Sequence, residues 1–504
     1  MRTDLSHAAV LLRAVGVAAV LVFVCSCTTG PRKVENPAPL PDEFSRSGQE
    51  QVPGKWWTAL DDPHLSGLVD EALEENFDLK TAWDRLDQAR AVARRQGAAL
   101  WPQLDGSASA SRTAREQTGA TFQGGLQGGQ GAAATFEQTE ERTYRDEFSL
   151  GLTANYEVDL WGRVRASADA ARFSARASAQ DVRAAALSLS AQVATTWYRL
   201  VSQRAQLALL DSQISTNQQY LDLVELRFQK GSVSATDVLQ QRKLLESTRT
   251  EKARARRELK TLRHQLAVLL GRAPGEVELP ASKSLPDLPG LPDTGVPARF
   301  VRRRPDIRSA YLRVKSSDRN VAAAIADRYP RFTISGNFQT TALEPSALLE
   351  EWLASVAGQM TAPILDGGRR EAEVDRTRAA LSESLHNYGQ TVLTAVREVE
   401  DALSNEQQQR AALEGVRREL RLSDRTVDQL MQKYRNGTVE FLRVLDELRT
   451  HQQLQRNLIS ARFALIQDRV DLYRALGGTW NLDRPADAAG PQPADSGSAS
   501  GTGA

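Results

Sequence analysis

The sequence contains few of the residues that build disulfides, metal centres or catalytic sites. Its 504 residues include two cysteines and five histidines. The histidines are scattered without metal-ligand spacing, and no nucleophile motif stands out. With 64 basic and 63 acidic residues the formal net charge is +1, so the basic surplus that nucleic-acid binding requires is missing. We therefore expect no enzyme, no metal or cofactor, and no nucleic-acid partner.

The N-terminus lacks an apolar run long enough to span a membrane in the mature protein. The run from Ala14 to Val24 follows basic residues, which is typical of a secretory signal over residues 1–26. Ser26 and Cys27 then resemble a bacterial lipobox, in which Cys27 is the acylated residue. Cleavage before Cys27 would leave one thiol and no intramolecular disulfide. The alternative is an ordinary cleaved signal with two incidental cysteines.

What the sequence does contain is an internal duplication. A constant offset over more than a hundred residues indicates a repeated structural unit and a pseudo-symmetric fold. Upstream of the matched region the offset rises to 228, which places a 22-residue insertion in the first copy, where a Gly/Gln-rich stretch occurs at 119–131. Three motifs return 206 residues later: Gly162-Arg163 as Gly368-Arg369, Phe228-x-x-Gly231-x-Val233 as Tyr434-x-x-Gly437-x-Val439, and Leu270-Gly271 as Leu476-Gly477.

The sequence of each copy predicts long helices. The segment from about Arg163 to Phe228 has no proline and would extend roughly 100 Å as a helix. A shorter helix is predicted from Thr236 to Leu270, and an amphipathic helix from Trp56-Trp57 toward Leu100. A 4-3 spacing of core-type residues favours left-handed coiled-coil packing. Its members are Leu210, Ile214, Asn217, Leu221, Val224 and Phe228 in the first copy, and Val416, Leu420, Ser423, Val427, Leu430 and Tyr434 in the second. The polar members, Asn217 and Ser423, are expected to fix the register of the packed helices.

Between the helices of each copy the hydrophobic period changes to two, which predicts one hairpin of two strands of about 10 residues each. That length suits a tilted membrane-spanning strand. Pro102 and Pro330 stand at strand starts, where a missing amide is tolerated. The alternating apolar positions include Phe148, Leu150, Leu152, Ala154, Tyr156 and Val158, then Phe332, Ile334, Gly336 and Phe338, and a similar run from Trp352 to Ile364.

Four strands cannot close a barrel by themselves. An open edge in lipid would leave amides and carbonyls unpaired, so the chain must oligomerise. Two chains would supply 8 strands and three would supply 12, and only the larger number begins to leave a lumen. The long helices would continue the wall as a second, helical cylinder.

The predicted domain organisation follows from these patterns. Both copies have the order helix, β-hairpin, long helix, short helix. The segments are a signal peptide (1–26), a lipid-anchored extended linker (27–54), a first repeat (55–274, hairpin 102–160), an inter-repeat linker (275–300), a second repeat (301–480, hairpin 330–365) and a disordered tail (481–504).

Together the motifs resemble the outer-membrane factors, or TolC-like channels, and specifically their lipidated efflux branch. The resemblance covers nearly the whole mature chain. It implies a trimeric 12-stranded transmembrane β-barrel continued by a periplasmic α-helical barrel. The motifs that carry it are Cys27-Thr28-x-Gly30-Pro31, Trp56-Trp57-x-x-Leu60-x-Asp62-Pro63, Val158-Asp159-Leu160-Trp161-Gly162-Arg163, Arg303-Arg304-Pro305-Asp306-Ile307, Glu398-Val399-Glu400-Asp401-Ala402-Leu403 and Tyr434-Arg435-x-Gly437-x-Val439-x-Phe441-Leu442-x-Val444-Leu445-Asp446.

The resemblance also implies a periplasmic gate. In the lipidated branch an apolar residue, an acidic residue four later and an arginine three after that narrow the channel, and Leu442, Asp446 and Arg449 match this pattern. Their spacing places all three on one helical face. The alternative is a surface ion pair, worth under about 1 kcal/mol. The first copy has Thr236, Gln240 and Lys243 at the corresponding positions, as expected if only the second copy lines the constriction.

By the same resemblance, the turns around Gly231, Val233, Gly437 and Val439 are helix tips that contact a periplasmic adaptor, although helix termination alone would also explain the glycines. The implied function is the exit duct of a tripartite efflux system in the outer membrane. Its partners would be two further copies, the adaptor, outer-membrane lipid and an inner-membrane pump of the resistance-nodulation-division type. The alternatives are a lipid-anchored periplasmic coiled-coil scaffold or adaptor, and an exit duct for type I protein secretion.

Overall fold

The computed structural model describes residues 36–120, 138–275, 280, 284–478, 480, 482 and 484. The predicted signal peptide, the acylation site at Cys27 and most of the tail lie outside the described residues. The chain forms two compact units. The first combines residues 91–172 with 315–381, and the second combines 34–90, 173–314 and 382–504.

Both copies of the duplication contain the same order of helices and strands. The long helices α3 and α7 have 67 residues each, as a duplication requires. The helices are α1 (Pro63–Glu75), α2 (Phe77–Ala98), α3 (Arg163–Gln229), α4 (Ala235–Leu269), α5 (Pro297–Arg303), α6 (Pro305–Ala326), α7 (Arg369–Arg435) and α8 (Phe441–Leu476); the strands are β1 (Gln103–Ala120), β2 (Gln138–Val158), β3 (Arg331–Ala342) and β4 (Trp352–Thr361). Short 3-10 turns occur at Trp56–Leu60 and Pro345–Ala347.

The first unit contains a four-stranded antiparallel sheet in the order β1-β2-β3-β4. Leu152 lies opposite Gly106 of β1 and opposite Phe338 of β3. The residues that alternate in the sequence therefore lie on opposite faces of the sheet. Every residue of β4 is exposed. Within the described residues, β1 and β4 each pair along one side only, which leaves the sheet with two free edges.

The strands of the first hairpin are longer than the sequence predicts. The predicted length of about 10 residues is wrong for β1 and β2, which have 18 and 21 residues. β2 pairs with β3 only from Phe148 to Val158, so the remainder of the first hairpin is a two-stranded ribbon. Arg112 donates to both carboxylate oxygens of Asp146 directly across this ribbon, at 2.6 and 2.7 Å. Such opposite-charge pairs across two strands favour further pairing of the strands. The alternation of apolar residues, from which the strand length was predicted, does not reveal these pairs.

The amphipathic helix predicted from Trp56 toward Leu100 is interrupted. Asn76 separates α1 from α2 with an extended backbone, at φ −64° and ψ 127°. Its side-chain oxygen accepts from the amide of Leu79, and its side-chain nitrogen donates to the carbonyl of Leu269, both at 3.0 Å. Asparagine caps a helix well because its short side chain replaces the missing backbone partner. The periodicity continues through the break, so hydrophobic spacing alone misses it.

The core of the second unit is built on tryptophans. Trp56, Trp57 and Trp197 are fully buried among residues of α1, α3, α4 and α8. The indole of Trp56 donates to Ser190 at 3.0 Å, and that of Trp197 donates to Asp62 at 2.8 Å. Burial of such large side chains contributes several kcal/mol each, and the hydrogen bonds of Trp56 and Trp197 offset the desolvation of their ring nitrogens, whereas the ring nitrogen of Trp57 has no partner among the described residues. These residues explain why the Trp-Trp and Asp-Pro motifs occur together.

The segments flanking the repeats are held against the second unit. The amide of Ser45 donates to Glu400 at 2.9 Å, and the amide of Gly48 donates to the carbonyl of Pro292 at 3.0 Å. Near the other end, Arg484 forms ion pairs with Asp84 and Asp87. The described part of the N-terminal linker therefore belongs to the second unit, where it contacts α7 through Glu400 and the inter-repeat linker through Pro292.

In the part of the chain that the structure describes, no helix is both long and apolar enough to cross a bilayer. The same residues contain no group of three or more metal-ligating side chains.

Candidate functional site at the helix tips

Two tight turns end the long helices of the second unit. Gly231 and Gly437 adopt left-handed backbone angles, with φ of 70° and 73°. The amide of Gly231 donates to the carbonyl of Phe228 at 2.8 Å, and the amide of Ser232 donates to the carbonyl of Arg227 at 2.9 Å. The second copy repeats both bonds at 2.9 and 3.0 Å. This is the Schellman arrangement, in which glycine avoids the strain that a β-carbon would cause.

The two tips are joined by an arginine that the sequence pattern does not single out. The guanidinium of Arg227 donates to the carbonyls of Tyr434 and Arg435, at 2.9 and 2.8 Å, and lies 4.4 Å from the centroid of the Tyr434 ring. An apolar cluster backs this contact: Leu221, Val224, Val238, Leu244, Leu245, Met431, Tyr434, Phe441, Val444, Leu445 and Leu448. The two copies therefore form one packed tip rather than two independent loops.

The predicted gate residues share the exposed face of α8. Val444, Leu445 and Leu448 on its other face are buried in the tip cluster. The side chain of Asp446 is 65% exposed, and Leu442 is 45% exposed. An apolar and an acidic side chain are thus presented outward by a helix whose orientation is fixed by packing.

Asp446 and Arg449 are near each other but weakly coupled. Their charged atoms are 3.8 Å apart, too far for a hydrogen bond, and both side chains are substantially exposed. An ion pair of this kind contributes at most about 1 kcal/mol. Arg449 also lines a groove of about 580 Å³ between α4 and α8, together with Lys243 of the first copy. Its guanidinium is therefore available to a second carboxylate.

The predicted adaptor-contacting residues lie close to the gate residues. Val233, Val439, Leu442 and the first-copy counterpart Thr236 line one groove of about 560 Å³ at the tip. Both valines are half-buried, and both glycines are exposed. The structure thus brings the tip residues of both copies together around a single concave surface.

The polar residues predicted at core positions of the coiled coil are buried. Ser423 donates to Glu447 of α8 at 2.5 Å. Asn217 exchanges hydrogen bonds with Gln452, and Gln213 donates to the main chain of α8. The heptad pattern identifies Asn217, but nothing in the sequence distinguishes Gln213 and Gln452 from the many exposed glutamines.

Comparison with known proteins agrees with the fold and with the duplication. A family model described as outer membrane efflux protein matches residues 68–272 and 296–478. The pyoverdine export outer membrane protein OpmQ of Pseudomonas aeruginosa is 30% identical over 471 residues, covering 93% of this chain and 96% of that protein. The cation efflux system protein CusC of Escherichia coli is 28% identical over 473 residues, covering 92% and 97%.

Solved structures give the same result. The crystal structure of CusC superposes with a TM-score of 0.78 at 27% identity, covering 90% of this chain and 100% of that one. The outer-membrane channel OprN superposes with a TM-score of 0.78 at 28% identity, covering 90% and 99%. The fold predicted from the sequence is thereby confirmed, as are the function as an efflux channel subunit and the location in the outer membrane. The chain belongs to the outer membrane efflux protein family, whose members are channel proteins of efflux systems.

Proposed function

We propose that three copies of this chain form the complete exit duct. The observation that carries the proposal is the four-stranded sheet with two free edges, β1 and β4. A free edge in lipid leaves backbone groups without partners, and pairing β1 of one copy with β4 of the next removes every edge when the ring closes. Three copies give 12 strands, enough to leave a lumen, whereas two give 8, which side chains would fill.

Heat-modifiable electrophoresis of outer-membrane extracts tests this assembly. Unheated protein should migrate as a trimer, and boiling should convert it to a monomer of about the mass of one chain, because a closed barrel has no exposed edge at which unfolding can start. Membrane fractionation should place the trimer in the outer membrane. A stable, water-soluble monomer without lipid-embedded β-structure would overturn the proposal.

We further propose that the helix tips dock a periplasmic adaptor and that the inner-membrane partner is a pump of the resistance-nodulation-division type. Support for the docking surface comes from the groove at Val233 and Val439, which residues of both copies line next to the two glycine turns. The assignment of the pump rests on the resemblance to the lipidated efflux branch. An exposed concave surface that combines apolar side chains with many polar ones suits docking of an amphipathic helical hairpin.

We also propose that Leu442, Asp446 and Arg449 form the periplasmic gate. Threefold repetition would bring three copies of each side chain around the channel axis. Support comes from their common exposed face on α8 and from the weak coupling within one chain, which leaves Arg449 able to pair with Asp446 of a neighbouring copy.

Finally, we propose that Cys27 carries the lipid anchor. Replacing Cys27→Ser should abolish incorporation of labelled palmitate, because the acyl-bearing glyceryl group attaches through a thioether that needs the cysteine sulfur. The matched control is Cys25→Ser, which leaves the proposed acceptor intact and should retain the label. Label that persists in the Cys27→Ser protein, or that disappears only with Cys25→Ser, would assign the anchor elsewhere or exclude it.

A further inference from the structure

Amide side chains, four of them buried and that of Gln206 half-buried, form a polar seam between α3, α4 and α8. We define the amide seam as Gln206, Gln213, Asn217, Gln241 and Gln452. Asn217 and Gln241 are fully buried, and Gln213 and Gln452 are 3% exposed. Buried polar groups of this number stabilise a core less than apolar residues of the same shape would, so their presence in a coiled-coil interface requires an explanation.

At the centre of the seam, α3 and α8 are joined by a reciprocal amide pair. The side-chain nitrogen of Gln452 donates to the side-chain oxygen of Asn217 at 2.7 Å, and the nitrogen of Asn217 donates back to Gln452 at 3.3 Å. The same Asn217 nitrogen also lies 3.0 Å from the hydroxyl oxygen of Thr248 on α4. Three helices are thus connected through one asparagine.

The other members of the seam bind main-chain carbonyls. Gln206 and Gln213 of α3 donate to the carbonyls of Arg456 and Gln452 on α8, at 2.9 and 3.1 Å. Gln241 of α4 donates to the carbonyl of Asn217 at 2.8 Å. Helix carbonyls recur about every 5.4 Å along the axis, whatever the side chains are. A glutamine can therefore leave one carbonyl and reach the next while the helices shift.

One seam atom has no partner. The side-chain oxygen of Gln241 is buried and accepts no hydrogen bond from any described residue. A buried acceptor without a donor is costly and uncommon in native structures. This oxygen can therefore accept a hydrogen bond from a neighbouring amide that changes partner.

The seam begins directly behind the proposed gate. Gln452 follows Arg449 by three residues on α8, a rise of about 4.5 Å. Between the seam and the tip the same helix packs through Leu445 and Leu448 into the apolar cluster. Interlocked apolar side chains hold one register, and the pairing of Asn217 with Gln452 alone would do the same, as the sequence predicts. The neighbouring glutamines instead bind main-chain carbonyls, which recur along a helix, so these contacts can form again after a shift once the amide pair has exchanged partners.

We propose that Asn217 and Gln452 are positioning residues for the gate, and that the amide seam lets α8 move between closed and open registers by exchange of hydrogen bonds. The inference rests on the proposed gate at Leu442, Asp446 and Arg449. The seam sets how readily α8 moves, and the gate residues set how much current passes.

Single-channel recording in planar bilayers tests the inference with the double variant Asn217→Leu/Gln452→Leu. These changes replace the amide pair by apolar packing and leave Thr248 bonded to the carbonyl of Leu244 at 2.9 Å. We expect the rate of open–closed switching to fall at least tenfold, while the heat stability of the oligomer is unchanged or raised. The swapped variant Asn217→Gln/Gln452→Asn restores an amide pair and should switch at a rate near that of the wild type.

The matched control is Gln203→Leu. Gln203 of α3 donates to the carbonyl of Ala255 at 3.2 Å and touches α4 instead of the gate helix, so its loss should leave switching unchanged. If the double variant, this control and the wild type all switch at the same rate, the proposed role of the seam is wrong.

Asp446→Asn, tested in parallel, separates the two proposals. If Asp446→Asn alters the conductance but the double leucine variant switches at the wild-type rate, the seam proposal alone is rejected. If Asp446→Asn leaves the conductance unchanged, the gate proposal itself is rejected. If the double variant fails to reach the membrane, Gln452→Met, which keeps the side-chain volume, should show the same slower switching.

Discussion

Replacing Asp446→Asn should raise the single-channel conductance severalfold. The substitution removes the charge but keeps the size of the side chain, so any change in current reports electrostatics. In the proposed gate, three Asp446 carboxylates alternate with three Arg449 guanidinium groups around the axis. Without the carboxylates, three arginines face one another unneutralised, and the ring loosens.

The magnitude follows from the Coulomb repulsion between like charges that meet around the axis. Two like charges about 6 Å apart repel by roughly 3 kcal/mol at an effective dielectric constant of about 20. The pair within one chain, at 3.8 Å and largely exposed, contributes too little to offset this. Contacts between neighbouring copies must supply the remainder, and they require both partners. Arg449→Gln, which leaves three carboxylates, should therefore raise the conductance as well.

The double variant Asp446→Asn/Arg449→Gln provides the discriminating measurement. It removes both sets of charges, so its conductance should lie nearer to that of the wild type than either single variant does. The matched control is Glu414→Gln, which removes the acid of an exposed pair with Arg417 of the same i, i+3 spacing on α7, away from the tip. An unchanged current in both single variants, or an equal rise in the Glu414→Gln control, would remove the gate assignment.

The long helices, the glycine turns and the hairpins were predictable from the sequence because each depends on a local rule. Gly231 and Gly437 end helices whose lengths follow from the absence of proline, and Leu152 alternates with polar neighbours along a strand. Asn217 was predictable because a polar residue interrupts a regular 4-3 spacing. In each case the signal lies within a few turns of the residue concerned.

The features that the sequence does not predict depend on residues far apart in the chain. Arg227 resembles any other arginine near a helix end until the second tip brings the carbonyl of Tyr434 within 2.9 Å. Gln452 resembles any other glutamine until α3 packs against it. Asn76 breaks a helix because Leu269, almost two hundred residues away, accepts its side-chain amide. Tertiary partners, absent from any local pattern, decide each of these.

The largest loss of stability is expected from Arg469→Leu. Arg469 has no exposed side-chain area and donates to both oxygens of Glu406, at 2.8 and 2.6 Å. It also donates to the carbonyls of Pro289 and Gly290 in the inter-repeat linker, at 3.2 and 2.8 Å. Its removal leaves a buried carboxylate and two carbonyls with fewer partners, which costs about 3–5 kcal/mol. Thermal unfolding of the purified protein should show the loss as a lower midpoint, and limited proteolysis should cut the linker sooner.

Two further variants show whether the buried pair is responsible. Arg462→Leu is the matched control, because Arg462 lies on the same helix and also contacts the linker, but its carboxylate partner is exposed. Arg462 donates to the carbonyl of Leu285 at 3.2 Å and pairs with Asp287, which is 97% exposed, so its loss should cost about 1–2 kcal/mol. Arg469→Leu/Glu406→Leu removes both buried charges and should recover much of the lost stability, since the remaining partner of Glu406, Arg410, is 46% exposed and can be solvated. A midpoint for Arg469→Leu equal to that of Arg462→Leu would contradict this account.

The same pair predicts how acid should act. Burial by itself would raise the pKa of Glu406, but hydrogen bonds and charge from Arg469, and then from Arg410, lower the pKa below its ordinary value. A carboxyl group with a lowered pKa in the folded protein contributes stability above its unfolded pKa and loses that contribution as the pH falls through the folded value. The stability difference between the wild type and Arg469→Leu should accordingly be largest near neutral pH and shrink in acid. A difference that stayed constant across that range would assign the effect of Arg469 to packing and to the linker carbonyls rather than to its charge.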